Sequence, residues 1–292
     1  MRYGRTDAVG THPERHFNLT VSGFILSAVL LSVVLITQDE ETNLPRTLES
    51  VAPLVRDGRG EVIVVDSGST DRTVEIARSF GAKIFVESWK GFAAQKNSAM
   101  DKASADWVLQ LDADEALETD LASEIETSLR SSPSADGFWI PRKNFFLGRW
   151  IRHGGYYPDP KLRLIRRGAG RFEEYGAHPT IKLNGATNTL RHALIHNAYP
   201  TLRGYIDHMN SYSSSGASVA VASGRCGFSL TNIVVRPWLT FVYNYFIRLG
   251  FLDGREGLLL HLYHSVYVSW KYAKAWELAR KADKGSAANR SA

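Results

Sequence analysis

Trp107-Val-Leu-Gln-Leu-Asp-Ala-Asp-Glu115 is a short apolar run that ends in two acids one residue apart, Asp112 and Asp114. Read as a strand, it carries both carboxylates on the same side at its carboxyl end, because residues i and i+2 of an extended segment point the same way. Hard oxygen donors at such a place suit Mg²⁺ or Mn²⁺, and either ion can hold a diphosphate. A D-x-D tripeptide also occurs on solvated loops, so its meaning depends on the chain around it.

That chain alternates in short units. Leu31–Thr37 (LSVVLIT), Glu61–Asp66 (EVIVVD) and Lys83–Glu87 read as buried strands, and Trp107–Leu111 as a fourth. Between them lie helical segments. Asn43 is placed to cap the first and Pro45 suits its first turn, with Leu44, Leu48 and Val51 on one face. Val74, Ala77 and Phe80 share a face of the second, which Gly81 ends as a left-handed cap. Gly91–Ala105 is the third. Strand and helix in regular alternation predict an α/β domain with a Rossmann-like, mostly parallel sheet. Ligands of such sheets bind outside the carboxyl ends of the strands. Three polar clusters sit there: Thr37-Gln-Asp39-Glu40, Asp66-Ser67-Gly-Ser69, and Asp112-Ala-Asp114-Glu115. Their convergence predicts a nucleotide crevice, with capping as the competing role, favoured for Asp71.

No G-x-x-x-x-G-K-[ST] and no G-x-G-x-x-G after a strand is present, which excludes the P-loop and dinucleotide fingerprints. The 292 residues, with 44% hydrophobic and 22% charged content, can bury a sizeable core. A net charge of +5 is mildly basic and names no partner. The single cysteine, Cys226, excludes a disulfide framework and a cysteine-based zinc site.

Residues 1–18 read as a polar tail, followed by an almost continuous apolar run, Leu19–Ile36. The length of that run sits at the lower edge of a membrane span, which stays open beside the favoured reading, a lead-in over 19–30 followed by the first strand. In Gly137–Gly170, aromatic residues alternate with Arg and Lys; Phe138–Pro141 and Leu162–Arg166 read as strands, and Gly148–Pro160 as a loop able to cover a site. Glu173, Glu174 and His178 follow as candidate general bases. His192 and His196 are four apart, but Ala193 replaces the acid of H-E-x-x-H and the segment reads as a strand, so no zinc site is expected. From residue 201 to 282 the chain is helical and aromatic-rich, broken by Pro237 and by Gly250–Gly257, which suits amphipathic helices in a membrane interface or a cap on the sheet domain. Residues 283–292 read as a polar tail.

The segments SVVLITQDEETNLPRTLESV, EVIVVDSGSTDRTVEIARSFGAKIF and KNSAMDKASADWVLQLDADE together resemble the family 2 inverting glycosyltransferases of the GT-A fold, over Ser32 to about Ile181. PDPKLRLIRR, GAHPTI and GFLDGREGLLLHLYHSVY resemble the lipopolysaccharide core β-glucosyltransferase branch. The resemblance implies a GT-A domain over 31–200. Thr37, Asp39, Glu40, Asp66, Ser67, Lys96, Asp112, Arg163 and Arg166 would contact the nucleotide sugar. Asp112 and Asp114 would hold a divalent Mg²⁺ or Mn²⁺, and Glu173, Glu174 or His178 would serve as base. Two positions depart from the family pattern. Ser67 stands where many relatives carry a second acid, and Pro179 where some carry the acid of V-H-E.

The implied activity is inverting transfer of a hexose from a UDP-sugar to a lipid-linked saccharide such as lipopolysaccharide core, at the cytoplasmic face of the bacterial inner membrane. A polyprenyl-phosphate, capsule or peptide acceptor stays open, as does a membrane-attached nucleotide-binding module without turnover. A nucleic-acid partner is not expected, because acids cluster at the strand ends.

Overall fold

A computed structural model describes residues 31–131, 134–175 and 178–290, with the backbone alone at 57, 174–175, 178 and 282–290. The tail and apolar lead-in expected at 1–30 lie outside the described residues.

The strands are β1 (Leu31–Thr37), β2 (Gly60–Asp66), β3 (Lys83–Val86), β4 (Trp107–Asp112), β5 (Glu115–Leu117), β6 (Gly137–Ile140), β7 (Arg142–Phe146), β8 (Arg149–Trp150), β9 (Lys161–Arg166), β10 (Gly170–Tyr175), β11 (His178–Leu183), β12 (Thr187–Thr189) and β13 (Leu194–Tyr199). The helices are α1 (Leu44–Val55), α2 (Thr73–Ser79), α3 (Phe92–Asp101), α4 (Leu121–Arg130), α5 (Leu202–Ala222), α6 (Arg236–Val242) and α7 (Gly254–Arg290). The main sheet has the order β12-β6-β9-β4-β1-β2-β3. Only β9 runs against the others, pairing antiparallel with both β4 and β6. A second sheet has the order β5-β13-β7-β8, and β10 and β11 form a hairpin.

The first strands are apolar on both faces because both are covered. Val33 and Leu35 of β1, Val64 of β2 and Leu109 and Leu111 of β4 pack with Leu44, Leu48 and Val51 of α1 and Leu121 and Ile125 of α4. On the opposite face Val34, Ile63, Val65 and Val108 meet Ala93, Ala99 and Met100 of α3. The register then settles where the polar ends fall. Thr37 lies beside Asp66 and Ile36 beside Asp112, so the carboxyl ends of β1, β2 and β4 share one edge. The expected α/β layout and the convergence of the three clusters are therefore both present.

Two local details differ from expectation. Asn43 does not cap α1; its side-chain amide donates to Glu40 Oε2 at 2.9 Å, while the Glu40 carbonyl accepts from the amides of Asn43 and Leu44. The stretch expected as a polar tail after 282 continues α7, which runs to Arg290. Gly81 does end α2 at φ 87°.

Helices α5 and α7 pack through Tyr205, Met209 and Leu260, with Ala217, Ala220 and Ala275 allowing close approach farther along. The loop expected to cover a site is tied to this helical layer. The Asp253 carboxylate accepts from the amides of Arg152 and His153 and pairs with His153 Nδ1 at 3.0 Å. Gly154 N–H donates to the Arg248 carbonyl at 2.8 Å. The segments RWIRHGGYYPD and GFLDGREGLLLHLYH, about a hundred residues apart, thus form one unit. Among the described residues no helix is long and apolar enough to cross a membrane.

Candidate active site

Strand β4 ends at Asp112, and the chain turns at Ala113 and Asp114 instead of staying extended. The two acids consequently reach different partners. Asp112 Oδ1 lies 2.5 Å from Lys96 Nζ on α3, and its Oδ2 accepts from Arg163 Nη2 at 2.6 Å. Burial alone would raise its pKa, but Arg163 and Lys96 hold it well below the usual carboxylate range. Asp114 Oδ2 lies 3.1 Å from His196 Nε2 on β13. Burial again opposes ionisation, and His196 brings the Asp114 carboxyl below its ordinary value.

The antiparallel course of β9 separates the arginines. Leu164 lies beside Leu109, so Arg163 projects at the level of Gln110 and Asp112. Its guanidinium donates to Gln110 Oε1, to Asp112, and to Glu115 Oε1 at 2.9 Å. Arg166 pairs in register with Trp107, at the amino end of β4. There it packs over the Trp107 ring at 4.8 Å and lies 3.4 Å from Asp136. The expected donor contact from Arg166 is corrected accordingly: a strand that runs backwards brings only one of its two arginine positions to the carboxyl edge.

The other predicted nucleotide residues are together. Thr37 Oγ1 donates to Asp66 Oδ2 at 2.8 Å. Asp66 also accepts from the amides of Gly68 and Ser69 and from Ser69 Oγ, so it builds the turn at this edge. Ser67 Oγ is buried there with no hydrogen-bond partner among the described residues. Asp39, at φ 54°, accepts from Thr70 N at 2.7 Å. Burial pushes the Glu40 carboxyl up, Asn43 opposes it, and the charges of Asp114, Asp112 and Asp71 add to the rise. Asp71 takes the capping role expected of it, accepting from Thr73 N and Glu41 N.

The base candidates sit on the β10–β11 hairpin. Its root is clipped to α3, since Asn97 exchanges hydrogen bonds with the Phe172 backbone at 2.9 and 2.8 Å. Glu173 is exposed and 3.4 Å from Lys182. The side chains of Glu174 and His178 lie outside the described residues.

Glu115, Arg142, Asn144, Asp159 and His196 also meet at the site, and the sequence by itself gives none of them a role there. Glu115 is fully buried and accepts from Arg142, Arg163 and the Asp112 amide. Asn144 Nδ2 donates to Tyr156 O and Asp159 Oδ2, which turns its Oδ1 toward His196 Nδ1 at 2.7 Å. Arg142 donates twice to Asp159. A continuous polar chain thus runs Lys96, Asp112, Arg163, Glu115, Arg142, Asp159, Asn144, His196, Asp114. In sequence these look like an ordinary acid after D-x-D and scattered surface charges; only the pairing of β13 with β5 and β7 joins them. The chain borders a cavity of about 380 Å³ between the second sheet and the C-terminal helices.

Comparison with known proteins finds similarity to glycosyltransferases. The profile described as "Glycosyl transferase family 2" matches residues 32–188. A lipopolysaccharide core biosynthesis glycosyltransferase, LpsC of Rhizobium meliloti, is 29% identical over 85% of this chain and 92% of its own length. A glycosyltransferase of Rickettsia felis is 30% identical over 78% of this chain and 83% of its own length. Among solved structures, the mannosyltransferase PcManGT of Pyrobaculum calidifontis, in complex with GDP-Man and Mn²⁺, superposes with a TM-score of 0.50 at 15% identity, covering 84% of this chain and 86% of that one, a likeness of GT-A fold alone. The family match begins in β1, spans the whole carboxyl edge and ends in β12, more than half of the chain, and it makes this protein a member of glycosyl transferase family 2 and hence a glycosyltransferase.

Proposed function

We propose that this glycosyltransferase moves a hexose from a UDP-linked donor, UDP-glucose or a near relative, to a hydroxyl of a lipid-linked saccharide such as lipopolysaccharide core, with inversion at the anomeric carbon. The reading rests chiefly on the shared edge of β1, β2 and β4, where Thr37, Asp66 and Asp112 stand side by side next to Asp114. Thr37, Asp39, Glu40, Asp66, Ser67 and Lys96 would line the nucleotide crevice.

Carboxylate oxygens suit a hard divalent cation, and of the two acids Asp114 has the freer one, since both Asp112 oxygens are engaged by Lys96 and Arg163. Among the described residues Asp114 engages only Oδ2, leaving Oδ1 without a hydrogen bond, and Mg²⁺ sites commonly combine one or two carboxylates with phosphate oxygens. Asp112 and Asp114 would hold Mg²⁺ or Mn²⁺, which when bound supplies Lewis-acid neutralisation of the departing diphosphate. Arg163 and Lys96 keep Asp112 ionised and fixed. Glu173 or Glu174 would take the proton of the attacking hydroxyl. Asp159 is less suited to that task, because Arg142, Asn144 and Lys161 already occupy its oxygens and lower its pKa against the effect of burial.

Membrane attachment, at the cytoplasmic face of the bacterial inner membrane, is supported by a run of exposed apolar residues. Leu230, Trp238, Phe246 and Ile247 are 66%, 62%, 53% and 67% exposed. Such a surface suits the headgroup boundary of a bilayer.

The test is turnover of UDP-glucose, UDP-GlcNAc and UDP-galactose with a membrane glycolipid extract, with and without Mn²⁺, read as UDP release. Metal-dependent release that Asp114→Asn abolishes is the expected result. Absence of UDP binding with and without metal would sink the donor assignment.

A further inference from the structure

The cavity beside His196 and Asp159 has two walls of different origin. The sheet side presents charges that are already paired: Arg142 with Glu115 and Asp159, Asp159 also with Lys161, and His196 with Asp114. The other side is built by the docked loop and the helices, and presents Tyr156, Asn244, His264 and Arg248. His264 is held neutral near pH 7, since burial and then Lys271 push its pKa down. Among the described residues Arg248 has no carboxylate partner. Its guanidinium lies against Gly155, where a Cβ would come within 2.1 Å of Nη1. Gly155 itself is at φ 87°, so this contact requires glycine on two counts. The placement of Arg248 is therefore built in, and it lines the cavity without a carboxylate counter-ion among the described residues.

Resting on the reading of this site as one of sugar transfer, we propose that the cavity holds the acceptor sugar and that Arg248 reads an anionic substituent on it, phosphate or carboxylate. The remaining lining suits a sugar: aromatic faces for its C–H groups, and amide and imidazole groups for its hydroxyls. A planar guanidinium with no carboxylate partner among the described residues, only the Tyr243 ring at 5.8 Å, suits an oxyanion, which it can bind through two parallel hydrogen bonds. The same stretch carries exposed Phe246, Ile247 and Leu249, so an anionic sugar seated on Arg248 would have its lipid portion beside the apolar surface.

The experiment uses the full chain, with UDP and Mn²⁺ binding measured first and reported separately. Glucose 6-phosphate, glucuronate and glucose are then titrated by ligand-observed NMR, with UDP and Mn²⁺ present and again without them, against wild type, Arg248→Ala and Arg248→Lys. The expected result is that one or both anionic sugars bind wild type more tightly than glucose, that Arg248→Ala weakens this by about tenfold or more, and that Arg248→Lys retains part of it. Phosphate and carboxylate are told apart by which of the two carries the effect. Equal binding of all three sugars by wild type, absence of binding included, overturns the proposal, as does anionic-sugar binding that Arg248→Ala leaves unchanged. Loss by Arg248→Ala of binding to phosphatidylglycerol vesicles, with sugar binding intact, assigns Arg248 to lipid headgroups and overturns it too. Failure of UDP to bind would count against the donor site alone, because the titration without UDP reads the cavity by itself.

Discussion

His196 Nε2 stands 3.1 Å from Asp114 Oδ2 across 82 residues of sequence, and Asn144 fixes the far side of the same ring at 2.7 Å. The imidazole is thus a positioning group for the second acid of the D-x-D. It belongs to a strand that enters the second sheet, antiparallel to β5.

Replacing His196 by Ala should leave the fold intact and free the Asp114 carboxylate to rotate. Residues that orient a metal ligand commonly matter by about 10–100-fold in metal affinity or activity. A Mn²⁺ titration of UDP release should show a midpoint shifted upward, with activity partly restored at high Mn²⁺. A fall in kcat that no Mn²⁺ concentration relieves would point to a different role.

Arg163 is 6% exposed and carries two carboxylates, the half-buried Asp112 and the fully buried Glu115. Arg163→Met removes the cation and leaves those charges short of a partner, at a cost of about 3–5 kcal/mol. Urea denaturation should register the loss. Glu115 keeps Arg142, so Arg163→Lys should recover part of the stability.

Asp253 is 2% exposed and its carboxylate bonds two backbone amides of the docked loop. In Asp253→Ala those bonds are lost, and charge-assisted bonds of this kind are worth about 1.5–3 kcal/mol each. Hydrogen exchange over residues 152–157 should quicken while β1, β2 and β4 stay protected. Unchanged exchange in the loop would show that Gly154 and its neighbours hold it without the carboxylate.

Trp238→Glu and Ile247→Glu place charges on the exposed apolar run. Flotation with phosphatidylglycerol-containing vesicles should drop severalfold for each, with an unchanged far-UV spectrum, because burying a carboxylate at the headgroup boundary is unfavourable. Equal flotation of wild type and both variants would remove this surface from the membrane reading.

His261 is 1% exposed and neither ring nitrogen has a hydrogen-bond partner among the described residues. Burial, followed by His264, pushes its pKa from 6.5 down to about 4. Between those values the unfolded chain binds the proton and the folded one does not. Stability is therefore full above about pH 6.5 and is lost as the pH falls toward 4, by up to about 1.4 kcal/mol per pH unit. His261→Leu should flatten that slope in denaturation curves taken at pH 7 and pH 5. If both proteins lose the same stability between the two, the slope has another source.

Much of the first half of the chain was legible because its physics is local. β-branched runs such as LSVVLIT, bounded by caps and glycines, suit only buried parallel strands, and the alternation of strand and helix orders them. That order brings Thr37, Asp66 and Asp112 to one edge before any distance is known. The separation of Arg163 from Arg166 was not legible. It follows from the direction of β9, which is set by pairing with β4 and β6 and not by anything in KLRLIR itself. The turn at Asp114, the burial of Glu115 and the arrival of His196 likewise depend on how β5, β7 and β13 meet.

By itself, then, the sequence determined an α/β sheet, its acidic carboxyl edge and the family. The tertiary structure alone decided which charges pair, which loop joins which helix, and where Arg248 stands without a carboxylate counter-ion among the described residues. The physical reason is range: strand and helix propensity act over a few residues, whereas ion pairs such as His196 with Asp114, and hydrogen bonds such as those of Asp253 with the amides of Arg152 and His153, join groups that only the assembled fold brings within about 3 Å.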